Sequence, residues 1–231
     1  MELLAITLAQ MLPGKENDGQ TRIRLILDTV RNAQGQVASL FYRSRGDDGY
    51  YLILTTWEDE DCWQQAQERH SPRQLLLSSP TELLTAPPEQ WLMHYHWGYS
   101  RPGARPALAA AHLATIRPDQ ADLAQRGWIE SLRRQAAQPT LAFAFLARGV
   151  KDATPTSPIR KLQTTQPQSG DSAIDDIPYT HGSLFLNLLS WASEADREDF
   201  YADQSYKTIR RFLSGLGVIQ TLALEPIEDI D

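Results

Sequence analysis

Three histidines on predicted strands are the side chains of this chain best suited to acid–base chemistry. His94 and His96 alternate along one strand with Tyr95 and Trp97, so the two imidazoles should share one face and the two aromatic rings the other. His112 stands among small apolar residues of a further strand. An imidazole titrates near neutral pH, so each could act as a general base. The alternative is a core or surface histidine that is held by a hydrogen bond.

The H-x-H spacing could also present two imidazole nitrogens to a metal ion. A zinc site needs a third and a fourth ligand, and no carboxylate is paired with His94 and His96 in the sequence. His112 could supply a third ligand only if the two strands were neighbours. We therefore predict no metal site.

Polar and aromatic side chains on the other strands are candidates for binding a substrate. Asn187 interrupts an apolar strand, so its amide must find partners if it is buried, either in a ligand or in the backbone. The aromatic candidates are Tyr51, Tyr95, Trp97 and Trp57, whose rings could bind a flat ligand. The alternative is an ordinary strand position for the tyrosines and packing at a strand end for Trp57.

Composition and charge exclude several classes of protein. The chain has 231 residues and a formal net charge of −7, an acidic balance that argues against binding to nucleic acid. No run of residues reaches the ~18 apolar positions of a membrane helix, and an acidic Glu2 does not fit a signal peptide. The single cysteine, Cys62, permits no internal disulfide. We therefore predict a cytoplasmic protein that binds neither nucleic acid nor membrane.

Several cofactor and hydrolase motifs are absent from the sequence. It contains no glycine-rich phosphate loop, no nucleophile elbow and no pair of zinc-binding cysteines. This absence argues against nucleotide-dependent enzymes and the usual hydrolases. It fits a protein that works without an organic cofactor, and we predict none.

An apolar strand that ends in tryptophan, followed by an acidic helix start, occurs twice. Trp57 closes the first copy and Trp191 closes the second. The distance along the chain from Trp57 to His70 equals that from Trp191 to Gln204. Self-similarity of this kind indicates a duplicated structural unit.

Each half of the chain shows strand and helix signals in the order β-α-β-β-α-β, which is the ferredoxin-like arrangement. We predict an α+β fold with a first domain at 1–100, a linker at 101–106 and a second domain at 107–231. The second half carries a long polar insert at about 151–181, for which disorder and a lid are the two interpretations. Two such units packed sheet to sheet would cover the face of each sheet that the helices leave bare.

The stretch from Tyr51 to Glu60, with His70-Ser71-Pro72 beyond it, resembles the dimeric α/β-barrel superfamily and, within it, the antibiotic-biosynthesis-monooxygenase-like proteins. The matching features are the apolar strand, its terminal Trp57, the acidic helix start and the His/Ser-Pro at the helix end. The stretch from Leu186 to Ser193 matches more weakly. The resemblance implies a barrel with a cavity between its sheets, and it departs from the usual pattern in being tandem. Such proteins include cofactor-independent monooxygenases acting on polyphenolic polyketides, and relatives that cyclise, decarboxylate or degrade haem.

This resemblance implies an enzyme of secondary metabolism that acts on a hydrophobic aromatic or polyketide-derived small molecule in the cavity. We expect cofactor-independent oxygenation, or acid/base cyclisation or decarboxylation. In this hypothesis His94, His96 or His112 acts as the base, and Asn187 with a tyrosine orients an oxygen. The alternative is a non-catalytic small-molecule-binding or accessory protein on the same scaffold. In either case the chain would be a monomeric pseudo-dimer or a homodimer.

Overall fold

The computed structural model of the chain describes residues 2–67, 69–79, 82–150 and 182–227. The strands in these ranges are β1 (Leu3–Gln10), β2 (Gln36–Ser44), β3 (Tyr50–Trp57), β4 (Glu89–Ser100), β5 (Leu108–Ile116), β6 (Leu141–Gly149), β7 (Ser183–Trp191) and β8 (Gly217–Pro226). The α-helices are α1 (Glu16–Arg31), α2 (Glu60–Ala66), α3 (Pro72–Leu77), α4 (Ala121–Ala136), α5 (Glu194–Ala202) and α6 (Gln204–Ser214). The insert predicted at about 151–181 lies outside the described residues. No helix that is described is both long and apolar enough to cross a membrane.

The strands form one closed antiparallel barrel in the order β1-β3-β2-β8-β5-β7-β6-β4. Each half of the chain supplies four neighbouring strands, in the order β4-β1-β3-β2 and then β8-β5-β7-β6. This is the sheet order of a ferredoxin-like unit, so the predicted α+β fold of two tandem units joined as an α/β barrel is confirmed. The domain limits at 1–100, 101–106 and 107–231 stay a prediction.

The two seams between the halves differ in length. Strand β4 pairs with β6 from Met93 to Ser100, whereas β2 pairs with β8 only from Tyr42 to Ser44. The start of β2, over residues 36–40, therefore has no strand partner on that side within the described ranges. Residues of this unpaired part of β2 line a pocket inside the barrel.

Alternate residues of each strand point into the barrel and toward the helices. In β1, Leu4 and Ile6 belong to the interior core, whereas Leu3 and Ala5 pack under the helices of the first half. The interior core combines apolar side chains from both halves, and their removal from water holds the two units together. A third cluster fills the space between the second sheet and α4, α5 and α6.

A β-bulge at His96 interrupts the alternation in β4. Tyr95 stands opposite Ala147, but Trp97 stands opposite Leu146, so one residue is inserted between them. Tyr95 therefore packs against the interior core and Trp97 against the helix-side core of the second half. The expectation that Tyr95 and Trp97 share one strand face is wrong, because the bulge shifts every later side chain by one position.

The helical segment near the C-terminus divides into two helices. Its sequence predicts one helix that Ser193 caps and that ends at Gly215 or Gly217, but the backbone is extended at Asp203 (φ −60°, ψ 134°). Ser193 caps α5 by accepting a hydrogen bond from the Asp196 backbone N–H, as predicted. Asp203 caps α6 in the same way, through the backbone N–H of Tyr206. The break is thus stabilised by a second cap that the pattern of apolar residues does not indicate.

Candidate functional site

A pocket of about 480 Å³ lies inside one end of the barrel, where β3 ends and β1 begins. Its walls come from β2, β3, β4 and β6 and from the linker between the halves. They include the apolar side chains Leu40, Leu54, Phe143 and Phe145. We call this space the Tyr95 pocket, after the tyrosine on its wall. A concave, mainly apolar site with few polar groups is typical of a small-molecule binding site.

Two hydroxyl groups meet on the wall of the Tyr95 pocket. Thr56 comes from the end of β3 and Tyr95 from the inner face of β4, and their oxygen atoms are 2.8 Å apart. The ring of Tyr95 packs edge-on against Phe145, with 5.2 Å between the ring centroids. Either hydroxyl can be the donor in this pair. The proton that the pair does not use is available to a ligand oxygen.

The phenols of this pocket are hydrogen-bond donors rather than bases. Burial raises the pKa of Tyr95, the hydrogen bond with Thr56 lowers it, and the negative charge of Glu2 raises it. Burial strongly raises the pKa of Tyr42 as well, with a contribution from the neighbouring Tyr95. Both phenols therefore stay protonated at neutral pH. Donors of this kind can hold a substrate oxygen and stabilise negative charge that develops on it.

His112 lies outside the pocket, on the helix side of β5, and is 3% exposed. Its Nδ1 is 2.9 Å from the hydroxyl oxygen of Thr221, and its Nε2 is 3.5 Å from that of Tyr206. Burial lowers the pKa of His112 to about 3, and the positive charge of Arg210 contributes. The imidazole is therefore neutral at neutral pH and is hydrogen-bonded within the core of the second half.

His94 and His96 face the outside of the barrel beside the seam between β4 and β6. Gln125 of α4 joins His96 to Arg148, with its Nε2 3.0 Å from His96 Nδ1 and its Oε1 3.1 Å from the guanidinium. Because a guanidinium only donates, the amide oxygen must face Arg148 and the amide nitrogen donates to His96 Nδ1. This arrangement requires neutral His96 with its proton on Nε2. Burial, Arg148 and His94 all lower the pKa of His96, which agrees with that state.

The structure does not bring the three predicted bases together. His94 and His96 stand at the seam between the halves, and His112 stands on the far side of the second sheet. None of the three is among the residues that line the Tyr95 pocket. Their catalytic role stays a prediction, and it would have to be exercised outside this pocket.

Two of the predicted binding residues, Tyr95 and Trp97, line the pocket. Trp57 and Tyr51 belong instead to the core under the helices of the first half. The indole N–H of Trp57 donates to the hydroxyl oxygen of Thr55 at 3.0 Å. The part that Trp57 and Tyr51 play in binding stays a prediction, since their side chains point away from the pocket.

Asn187 also lies on the helix side of its sheet, and it is 1% exposed. Its amide nitrogen donates to the carbonyl of Phe145 at 2.9 Å, and its oxygen accepts from the indole N–H of Trp128 at 3.1 Å. The amide is therefore satisfied by the protein itself, which is one of the two interpretations that the sequence leaves open. A role in ligand binding stays a prediction without support from its position.

Four polar residues of the pocket were not predicted as site residues: Thr56, Tyr42, Ser100 and Glu2. Thr56 carried a signal, because it follows Leu52 and Leu54 at alternate positions of an apolar strand. A hydroxyl on the face that those leucines bury should have indicated a polar group inside the barrel. Within the described ranges no three side chains of His, Cys, Asp or Glu cluster as ligands for a metal ion.

Comparison with solved structures finds the same fold across nearly the whole chain. A proposed monooxygenase from Fusobacterium nucleatum aligns with a TM-score of 0.70 at 6% identity, covering 98% of this chain and 93% of that one. An anthrone oxidase-like protein aligns with a TM-score of 0.63 at 10% identity, covering 98% and 92%.

A Listeria monocytogenes ferredoxin-fold protein related to antibiotic biosynthesis monooxygenases aligns with a TM-score of 0.56 at 9% identity, covering 99% of this chain and 96% of that one. No protein-family model and no curated protein sequence matches the chain. Structural similarity at sequence identities this low establishes the fold and leaves the reaction open. The chain therefore has the dimeric α/β-barrel fold of the antibiotic-biosynthesis-monooxygenase-like proteins, with both ferredoxin-like units in tandem.

Proposed function

We propose that the chain binds a hydrophobic aromatic small molecule in the Tyr95 pocket and oxygenates it without an organic cofactor. The observation that carries this proposal is the Thr56–Tyr95 hydroxyl pair on the wall of an apolar pocket of about 480 Å³. The names of two similar structures, a proposed monooxygenase and an anthrone oxidase-like protein, support the same class of reaction. A polyketide-derived phenol of secondary metabolism is a substrate of the right chemistry.

The reaction depends on stabilising a substrate anion. Loss of a C–H proton from a phenolic ketone leaves an enolate. The enolate oxygen would accept a hydrogen bond from the hydroxyl proton that the Thr56–Tyr95 pair leaves unused. The enolate supplies the electrons that reduce O2, a carbon–oxygen bond forms, and loss of water leaves a quinone. The apolar walls strengthen the hydrogen bond to the anion because they exclude water. Cyclisation or decarboxylation would use the same anchor, since both pass through an enolate.

The test uses dihydroxyanthrone as the probe, with O2 uptake and quinone absorbance measured above the rate in buffer. We expect Tyr95→Phe to lower kcat by about 10²-fold, the usual effect of removing one donor to a developing oxyanion. Tyr201→Phe removes a phenolic hydroxyl outside the pocket and is the matched control, with kcat within twofold of the wild type. Equal rates for the wild type and buffer would refute the proposed reaction.

A non-catalytic binding protein is the second candidate. The observation that favours it is that the lining tyrosines are protonated donors and that the three predicted bases lie elsewhere. Quenching of the tryptophan fluorescence of the protein by anthraquinone, which cannot react, measures binding apart from turnover. Binding that weakens about tenfold in Tyr95→Phe, together with no turnover of the anthrone, would favour the binding protein.

One chain is sufficient for this site. Residues of β2, β3 and β4 and of β6 meet in the same pocket, and the strands of a single chain close the barrel. We therefore propose a functional monomeric pseudo-dimer, with a homodimer as the alternative. The division into domains at 1–100 and 107–231 and the cytoplasmic location belong to the same proposal.

A further inference from the structure

Among the described residues that line the Tyr95 pocket, Glu2 is the one carboxylate. It immediately precedes β1, whose first residue, Leu3, pairs with Trp57 on one side and His94 on the other. The backbone of Glu2 is therefore fixed at the barrel end, and its carbonyl oxygen is 3.5 Å from His94 Nδ1. The residue is exposed, so its side chain stands between the pocket and bulk water.

The Glu2 residue and the Thr56–Tyr95 hydroxyl pair belong to the wall of the same pocket. Burial raises the pKa of Tyr95 most, and the hydrogen bond with Thr56 lowers it. The negative charge of Glu2 raises the pKa further. A ligand held by the Tyr95 hydroxyl would therefore share the pocket with an exposed carboxylate. The pocket therefore offers a hydrogen-bond donor to a ligand oxygen and an acceptor to a ligand proton.

We propose that Glu2 is the general base that removes the C–H proton of the substrate while the Thr56–Tyr95 pair holds the substrate oxygen. The C–H bond breaks, the proton passes to a carboxylate oxygen of Glu2, and the electron pair moves into the enolate. Glu2 then loses the proton to bulk water, to which it is open. This inference rests on the proposed function, because it supplies the base that the two protonated tyrosines cannot provide.

Proton removal can be measured apart from oxygenation. Under nitrogen, the full-length protein in D2O should speed the uptake of deuterium at the ring methylene carbon of anthrone, which proton NMR follows directly. Glu2→Gln should slow this exchange by about 10²-fold, within the range of general-base catalysis. Glu198→Gln makes the same change of charge on the exposed face of α5 and should leave the rate within twofold.

The outcomes separate this inference from the proposed oxygenation. Exchange that slows in Glu2→Gln, with no O2 uptake by the wild type in air, would leave Glu2 as the base and refute the oxygenase. Oxygenation with equal exchange in Glu2→Gln and the wild type would refute Glu2 and leave the oxygenase standing. Exchange no faster than in buffer refutes Glu2 in either case. Circular dichroism of Glu2→Gln shows whether the variant keeps the fold, and unchanged affinity for anthraquinone shows that it keeps the pocket.

Discussion

The two halves of the barrel share one sheet order but differ in the polar side chains that each face carries. Strand register aligns three inward hydroxyl-bearing residues of the first half with three positions of the second. The pairs are Tyr42 with Ala147, Thr56 with Ser190, and Tyr95 with Pro226. The second half thus lacks both tyrosines, and Ser190 donates its hydroxyl to the carbonyl of Phe143. Because every pair of neighbouring strands is antiparallel, Thr56 and Ser190 lie at the same end of the barrel, and the first half supplies the tyrosines of the site there.

On the helix-facing sides the second half carries the larger polar side chains. Ile53 in the first half aligns with Asn187 in the second, and Thr7 aligns with His112. Asn187 and His112 stand opposite each other on β7 and β5, and both are hydrogen-bonded inside the protein. The polar residues that are most conspicuous in the sequence of the second half therefore hold a core together. Those of the first half that face the cavity are ordinary tyrosines and a threonine.

The largest expected effect on stability comes from Asn187→Leu. This change leaves the Trp128 indole N–H and the Phe145 carbonyl without their partner in a buried layer, and we expect a loss of about 3 kcal/mol in the free energy of unfolding. Ile53→Val at the equivalent position should cost about 1 kcal/mol, because it removes only one methylene group. Urea unfolding measures both. Equal losses in the two halves would contradict the structural role of Asn187.

His112 should make the stability of the second half depend on pH. Its pKa in the folded state, about 3, lies below the ordinary value of 6.5, so the unfolded chain binds the extra proton between these values. Stability from this group is therefore complete above pH 6.5 and is lost as the pH falls. Between pH 7 and pH 5 we expect a loss of about 2 kcal/mol.

The control for this pH dependence is His112→Gln, which keeps a polar side chain but does not titrate. Urea unfolding of the variant should lose about 2 kcal/mol less than the wild type between pH 7 and pH 5. The other histidines contribute equally to both proteins and cancel in the comparison. Parallel pH profiles would show that His112 becomes protonated without unfolding, contrary to its burial.

The fold could be predicted from the sequence because its signals are local and repeated. An apolar strand that ends in Trp57 and again in Trp191 gives the duplicated unit, and Ser193 marks a helix start by its hydroxyl. Ile53 precedes Trp57 by the same distance along the chain as Asn187 precedes Trp191, and strand register agrees with this alignment. What the spacing could not supply was the side of the sheet on which Asn187 lies.

The site could be predicted only in part, because a strand pattern does not say which face points inward. Tyr95 was predicted as a site residue together with its neighbours His94 and His96. Of these three, only Tyr95 faces the cavity. The bulge at His96 then moves Trp97 off the face of Tyr95, and no local residue type signals that insertion. Thr56 was predictable in principle, as a hydroxyl on a face of leucines, but the adjacent Trp57 was the more conspicuous residue.

The smallest expected effect on stability concerns a difference between Trp57 and Trp191, the tryptophans that close the two repeated strands. Trp57 donates to Thr55, whereas the equivalent of Thr55 next to Trp191 is Leu189, and the Trp191 indole N–H has no partner in the described part of the chain. Thr55→Val should therefore give the first half the unpaired indole that the second half already has. We expect a loss of about 1 kcal/mol in urea unfolding.

Thr115→Val is the matched control for this change. It replaces a buried threonine whose hydroxyl, unlike that of Thr55, finds no partner among the described residues. Removing an unsatisfied hydroxyl without changing the shape of the side chain should leave stability unchanged or raise it. A loss in Thr55→Val with no loss in Thr115→Val would assign the difference to the hydrogen bonds of the Thr55 hydroxyl, of which the indole bond is the shorter. Equal losses in both variants would assign it to the exchange of a hydroxyl for a methyl group, and the two tryptophans would then be equivalent packing residues.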